Sequence, residues 1–362
     1  MKDKNQASAE QAGIENREQT RKDLFGMSLS EIQGLVKAHG WPAFVAKQLT
    51  EWMYHHHEYD FDAMTNLSKK VRAELAAKYT IGCQQPADMQ LSTDGTKKYI
   101  FPVKGGFVEA VYIPDDKRHT LCISSQQGCR MGCIFCMTGR QGFQGQLTPG
   151  EIINQVRSIP ERDMITNIVY MGMGEPLDNL EAVLKSLDIL CSDYGYGMSP
   201  RRITISTIGI LPALKDFLEK SRCHLGISLH SPFEEERRRL VPMEKAHPIK
   251  DIMQTIKRHE LENQRRVSIE YIVFKDLNHS VEHVKALARL LFKVRCRINL
   301  IRFHPIPGSK LKSPSEEEMN KFKLALEEKG LITTVRKSRG QDIHAACGLL
   351  STKKKNSTKV NP

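Results

Sequence analysis

Residues 121–139 read LCISSQQGCRMGCIFCMTG. A β-branched, apolar start of the kind that forms a strand runs straight into a loop that holds Cys129, Cys133 and Cys136 in C-x3-C-x2-C spacing. Three thiols on one short loop can converge on a single metal centre. A structural zinc site normally takes four protein ligands, and no nearby Cys or His at a familiar zinc spacing supplies the fourth. An iron–sulfur cluster accepts thiolates as its only protein ligands. If three cysteines hold a four-iron cluster, one iron keeps an open position for an external ligand, which is a catalytic arrangement and not a purely electron-carrying one. A zinc knuckle and incidental buried cysteines stay open as alternatives on spacing alone.

Downstream of this loop, strand-like and helix-like segments alternate to about residue 340. Strands are expected near 166–173, 201–208, 224–231, 266–274 and 297–305. Helices are expected over EIINQVRSI, LEAVLKSLDILC, ILPALKDFLEK, IKDIMQTIKRHE, SVEHVKALARLLF and EEEMNKFKLALEEKG. With 121–126 as the first strand, this makes six strand–helix units. That is the arithmetic of an α/β fold built as a partial (βα)6 TIM-like barrel lacking its last two units. An open doubly wound sheet fits the alternation nearly as well. No G-x-G-x-x-G follows the first strand and no Walker A motif exists, so nucleotide binding by those routes is unsupported.

Upstream the pattern changes twice. Residues 1–22 are polar and aperiodic, the composition of a disordered arm. Residues 23–85 carry apolar positions at helical spacing, as in LSEIQGLVKAHG, with Ser28, Pro42 and Ser68 near the expected helix starts; they read as a small all-α accessory domain. Over 86–118, KKYIF and FVEAVYIP alternate with TDGT, KGG and PDDK turns, which predicts an antiparallel β-hairpin extension leading into the barrel at 119–350. A basic tail occupies 351–362.

The 362 residues include 54 Lys plus Arg against 42 Asp plus Glu, a formal charge of +12, and four of the tail's lysines account for a third of that excess. The charge fits a polyanionic partner, or only solubility. No apolar run is long enough to cross a bilayer, so no membrane role is expected. The N-terminus lacks the apolar region of a secretory signal, which places the protein in the reducing cytoplasm with its cysteines as thiols or metal ligands.

The C-x3-C-x2-C loop at a first strand's end resembles that of the radical S-adenosylmethionine (SAM) superfamily. The residue before its third cysteine, Phe135, matches the aromatic that packs on the adenine of SAM. MGMGEPLDN (171–179) resembles the superfamily segment in which Gly174 and Glu175 would hold the amino group of methionine. ISTIGI and ISLHSP put Ser206, Ser228, Leu229 and His230 at successive strand ends, where barrel active sites collect. With VEAVYIP, RRITISTIGI, INLIRFHPIPGS and VRKSRGQDIHAACG, the chain from about 24 to 350 is similar to the RlmN/Cfr family of RNA adenine methyltransferases. GEPL resembles the RlmN branch, since the Cfr branch tends to have Ala where Pro176 stands; methylation at C2 of adenine is therefore expected over C8.

The resemblance implies one [4Fe-4S] cluster on Cys129, Cys133 and Cys136, and two SAM molecules per turnover. It also reverses the default reading of two lone cysteines as packing residues. Cys347 matches the cysteine that is first methylated and then, after hydrogen abstraction from its methyl group, bonds to adenine C2. Cys122 matches the cysteine that attacks Cys347 and releases the product as a disulfide forms. Glu109 matches the proton acceptor. Two departures stand out: His304 replaces an Asn that contacts SAM, and Leu349 replaces a Gln. Cys83, Cys191, Cys223 and Cys296 match no family role and are expected to pack.

The implied partners are 23S rRNA, tRNA and an electron donor such as flavodoxin, with the chain acting as a monomer. RNA contact is expected at Arg201 and Arg202, at Arg237, Arg238 and Arg239, and at RKSRG (336–340). A Cfr-type C8 methyltransferase and a non-enzymatic iron–sulfur protein that binds RNA are the alternatives.

Overall fold

Period-two burial along the strands sets the architecture. In VSIEYIV (267–273) every odd-numbered residue is buried in the main core, whereas Ser268, Glu270 and Ile272 face a cavity. The computed structural model describes residues 21–259 and 267–351. The expected arm, apart from its last two residues, and the basic tail, apart from its first, lie outside the described residues, as does residue 260 at the end of one expected helix.

The chain starts with β1 (Lys22–Asp23), α1 (Leu29–Ala38), α2 (Phe44–Tyr54), α3 (Lys69–Lys78) and β2 (Tyr79–Thr80). Ser28 and Glu31 form a reciprocal capping box at α1, and the Ser68 hydroxyl caps α3, as the sequence suggests. These helices enclose their own core of Leu24, Ile32, Leu49, Met53 and Leu75. Ile153 and Ile189 from the main domain complete it. One feature departs from a purely helical unit: β1 and β2 form a short parallel pair that ties its two ends together.

A meander of β3 (Asp88–Leu91), β4 (Lys97–Val103) and β5 (Gly106–Ile113) follows, and β5 pairs antiparallel with β6 (Thr120–Cys122). The meander is thus part of the main sheet. A second small sheet, β7 (Gln126–Gly128) with β8 (Phe143–Gln146), brackets the cysteine loop and α4 (Met137–Gln141). From α5 (Pro149–Arg157) onward come β9 (Asn167–Tyr170), α6 (Leu180–Cys191), β10 (Ile203–Thr207), α7 (Leu211–Lys220) and β11 (His224–Ser228). Then follow α8 (Glu234–Leu240), α9 (Ile249–Arg258), β12 (Val267–Val273), α10 (Val281–Leu290), β13 (Cys296–Arg302), α11 (Glu316–Glu328) and β14 (Thr333–Val335).

In the ten-stranded sheet, β6 and β9 to β14 lie side by side, parallel and in sequence order. A doubly wound sheet reverses its strand order at a switch point; this one never does. Right-handed crossovers that always step the same way put every helix on one face and curl the sheet around the other. The six strand–helix units of the partial barrel are present, and β14 adds a seventh parallel strand that the alternation stopped short of. Its three residues are too few to show a pattern in sequence. The strands also end earlier than their apolar runs: β9 stops at Tyr170, which leaves MGMGE free as loop.

Candidate active site

Two cavities share the concave side of the sheet. The smaller, about 150 Å³, is walled by Cys129, Cys133, Cys136, Phe135, Gly174, Glu175, Ser206, Ser228 and His230. The larger, about 530 Å³, is walled by Cys122, His304 and a set of cations, Arg118, Arg201, Arg297, Lys337 and Arg339. Met171, Glu270, Ile301, Arg336, Cys347 and Leu350 line both, so the cavities meet there.

Glu175 is built into the sheet end. Its carboxylate accepts from the backbone N–H of Leu177 and of Ile208, each at 3.0 Å, and from the Thr207 hydroxyl. Burial nevertheless pushes its pKa up to about 7, against those donors. A cationic group delivered to the cavity would offset that burial. Gly174 has φ +98°, and a Cβ there would stand 2.5 Å from the Gln126 side chain; only glycine lets Glu175 turn inward.

The three loop cysteines are buried thiols. Burial pushes Cys129 up to about 12 and raises Cys133 and Cys136 as well, with neighbouring thiols adding to each. Such a set stays protonated unless a cationic centre compensates. Among the described residues no three His, Cys, Asp or Glu side chains converge tightly enough to share one metal ion. A four-iron cluster takes each thiolate on a different iron and asks for a wider spacing than a single zinc, so the donor set fits the cluster better than a zinc knuckle.

Arg237 corrects one expectation. Of the run expected at RNA, Arg238 and Arg239 are exposed or half-exposed, but Arg237 is fully buried. Its guanidinium donates to the carbonyls of Leu229 (3.0 Å), Ile208 (2.9 Å) and Ser228 (3.1 Å) and pairs with buried Glu244. It ties together the ends of β10 and β11. His230, at φ +58°, accepts the Ile272 N–H on Nδ1 at 3.1 Å, and its ring meets Phe135 edge-on at 4.8 Å. Burial, and then Arg237, pull its pKa down to about 3, so its imidazole is neutral.

Two expected site residues stand apart from the small cavity. The Leu229 side chain belongs to the main core, so only its backbone is close to the strand-end network. His304 walls the larger cavity.

Cys347 arrives on a segment without helix or strand, held by hydrogen bonds to distant parts of the chain. Met137 N–H donates to Gly348 O (2.8 Å), Thr138 to Leu350 O (2.8 Å), and Ser351 N–H to Glu109 Oε2 (2.9 Å). Further back, Asp342 accepts from the Ser92 hydroxyl at 2.6 Å and from the Thr93 N–H at 3.1 Å. Cys122, buried on the wall of the larger cavity, is pushed up to about 12 by burial and next by the charge of Cys347, against the pull of Arg336. Glu109 lines neither cavity; it is buried, with Lys98 Nζ 3.1 Å from its Oε1, and burial raises its pKa against that partner. Of the remaining cysteines, Cys191 and Cys223 lie 3.9 Å apart, and Cys83 meets the guanidinium of Arg157.

Sequence reasoning missed Glu270 as a member of the site and named Arg336 only within the basic run expected at RNA, not beside Cys347. Period two along β12 puts Glu270 on the same face as Ser268 and Ile272, a signal that was available but has no meaning until the sheet curls.

A seven-strand parallel half-barrel with a three-cysteine loop at its first strand defines a radical SAM enzyme, and the Radical SAM superfamily model matches residues 123–291. The model for the ribosomal RNA large subunit methyltransferase N-terminal domain matches 22–81. A probable dual-specificity RNA methyltransferase RlmN of Bacteroides thetaiotaomicron is 54% identical, covering 91% of this chain and 96% of its own. The dual-specificity RNA methyltransferase RlmN of Syntrophotalea carbinolica is 41% identical, over 92% of this chain and 91% of its own. A crystal structure of a radical SAM methyltransferase from Sphaerobacter thermophilus superposes with a TM-score of 0.86 at 37% identity, covering 92% of this chain and all of that one. The chain belongs to the RlmN family of radical SAM RNA methyltransferases.

Proposed function

We propose that the protein methylates C2 of an adenosine in 23S rRNA and of an adenosine in the anticodon loop of tRNA, through a methylated cysteine and a covalent protein–RNA intermediate. One observation carries this reading: Cys347 stands on the wall common to the thiol-lined cavity and the larger cation-lined one. A group transferred to its sulfur on one side can be passed to a base on the other.

Adenine C2 is electron-poor and no nucleophile, so direct polar transfer to it is closed. When bound, a [4Fe-4S] cluster on Cys129, Cys133 and Cys136 and two SAM molecules per turnover supply the methyl group and the hydrogen-abstracting chemistry. Glu175 and Gly174 would take the amino group of SAM, Ser206, Ser228 and His230 its polar edges, and Phe135 its adenine, with the Leu229 backbone beside them; His304, on the wall of the larger cavity, is left out of that pocket. Cys347 carries the methyl carbon and bonds it to C2. Glu109 takes the C2 proton; burial raises its affinity for that proton, and Lys98 and the Ser351 N–H hold the carboxylate still. Cys122, as its thiolate, then attacks the sulfur of Cys347: the S–S bond forms as the C–S bond breaks, the electron pair of that bond passes to the product's carbon, and that carbon takes up a proton to become the methyl group. Turnover needs that disulfide reduced, hence an electron donor such as flavodoxin. The arginines of the large cavity suit the phosphates of a flipped-out nucleotide. The protein would act as a monomer in the cytoplasm; among the described residues no helix is long and apolar enough to cross a membrane.

The test is mass spectrometry of nucleosides from 23S rRNA and tRNA of a deletion strain, complemented with wild type, Cys347→Ala or Cys122→Ala. The expected result is 2-methyladenosine lost on deletion and restored only by wild type, with RNA held covalently on the Cys122→Ala protein. A change in 8-methyladenosine instead would move the protein to the Cfr branch, and no change in either would overturn the reading.

A further inference from the structure

At the junction of the two cavities a carboxylate is held on one oxygen and left bare on the other. Ser228, Glu270, Asn299 and Thr334 are register partners across β11, β12, β13 and β14. Glu270 Oε1 accepts from the Ser268 hydroxyl (2.5 Å) and from Asn299 Nδ2 (3.0 Å); Thr334 in turn donates to Asn299 Oδ1 at 2.7 Å. Glu270 Oε2 is buried and has no hydrogen-bond partner, in a residue only 3% exposed. A buried carboxylate oxygen without a donor is costly, and such an atom on a cavity wall marks where a ligand's donor belongs.

The residues that orient the carboxylate, Ser268, Asn299 and Thr334, all wall the larger cavity and none the smaller. Glu270 itself lines both cavities, so its carboxylate stands at their junction. Beside it stands Arg336, whose Nη1 donates to Met171 Sδ at 3.3 Å, and which shares both walls with Cys347. A carboxylate only accepts hydrogen bonds and a guanidinium only donates them. On the Watson–Crick edge of adenine, N1 is an acceptor next to C2, and the next carbon round the ring, C6, bears an amine donor. If C2 faces Cys347, N1 and the amine follow along the wall that Arg336 and Glu270 form.

We propose that Glu270 accepts a hydrogen bond from the exocyclic amine of the target adenine, with Arg336 donating to N1, so that this pair selects adenine at the reactive position. The inference rests on the reading that adenine C2 is the methylated carbon. Donor hydroxyls of the ribose of SAM share the same chemistry, and the experiment separates the two sources.

The probe is an RNA hairpin with one target adenosine, and the same hairpin with purine riboside there, which keeps C2 and N1 but lacks the amine. Full-length, cluster-reconstituted wild type, Glu270→Gln and Glu270→Ala are compared by equilibrium RNA binding and by kcat/KM. The adenine-to-purine ratio within each protein cancels general losses of folding or loading, and comparing ratios between proteins cancels the intrinsic reactivity of purine. In the wild type adenine should be favoured by about 10- to 100-fold, the scale of a hydrogen bond to a buried charge. In Glu270→Ala that preference should vanish. An equal preference in wild type and Glu270→Ala overturns the proposal. So does a fall in SAM affinity in Glu270→Gln of the same size as its loss of discrimination, which would give the carboxylate to the ribose of SAM. If wild type methylates carbon 8 or neither RNA, the proposed function fails; if it methylates C2 of both RNAs equally well and binds them equally, only the role of Glu270 does.

Discussion

Removing the Glu244 carboxylate tests whether the strand ends beneath Ser206 and Ser228 are held by a buried ion pair or by the arginine's bonds to carbonyls. Arg237 and Glu244 are each about 1% exposed at the side chain. Besides each other, Arg237 reaches the carbonyls of Leu229, Ile208 and Ser228, and Glu244 accepts the Ile249 N–H at the start of α9. Glu244→Leu leaves a buried guanidinium without its counter-charge, at a cost of about 3–5 kcal/mol. Arg237→Met leaves a buried carboxylate unpaired and takes the donor from the carbonyls of Ile208 and Ser228, each worth about 1–3 kcal/mol when left unmet, while Leu229 O keeps the Ser231 N–H at 2.7 Å, so it should be the worse of the two. The double variant removes both charges but not the carbonyl deficit. It should recover part of the loss and remain about 2 kcal/mol or more below wild type. Urea unfolding of the three proteins measures the differences, and for Glu244→Leu thermal melting should fall by roughly 4–7 °C. A double variant as stable as wild type would refute the reasoning, because it would mean that the carbonyls of β10 and β11 need no donor.

Three further outcomes follow from the site. Glu175 has its folded pKa raised to about 7 from 4.5, so it binds more protons folded than unfolded between those values, and its contribution to stability falls as pH rises through that window. An ammonium group bound beside it favours the ionised form; SAM affinity of the reconstituted protein should strengthen from pH 6 to pH 8, and equilibrium dialysis should find Glu175→Gln weak and flat over that range. Gly174→Ala places a methyl 2.5 Å from the Gln126 side chain at φ +98°, and should cost about 1–3 kcal/mol of stability in urea with a loss of SAM binding. Lys98→Met removes the cation 3.1 Å from Glu109, so the pKa of that carboxyl should rise and the acidic limb of the rate profile should move to higher pH, whereas a purely structural role would lower the rate without moving the limb.

What could be read from sequence, and what could not, follows from how far apart in the chain the cooperating residues lie. The cysteine loop is legible because its geometry is local: Cys129, Cys133 and Cys136 must share one turn of chain wherever that turn sits. The partial barrel is legible because each unit carries its own periodicity, but the choice between a barrel and a doubly wound sheet is not, since strand order is a property of crossovers and leaves no trace in any single segment. Arg237 was misread for a different reason. A run of three arginines looks like a solvated face, yet Arg237 and Leu240 fall on one side of α8, and the side that faces the strand ends is buried. That spacing was visible; what was invisible was the set of bare carbonyls waiting for a donor.

Glu270 lies at the limit of this kind of reading. Its alternation with Val267, Ile269 and Tyr271 puts it on the other face of the strand from the core, and in a doubly wound sheet helices would cover that face too, leaving no cavity for it to line. It acquires a role only because β14, three residues long, completes the polar row at Thr334, and because Arg336, one residue past that strand, turns in beside Cys347. The same C-terminal segment delivers both the cysteine and the arginine while pinned to α4 and Glu109 by backbone hydrogen bonds. On the proposed mechanism, base selection and methyl transfer would be coupled through one stretch of irregular chain: a change that loosens Ser351 from Glu109 should shift Cys347 and Arg336 together, degrading adenine preference and rate in parallel.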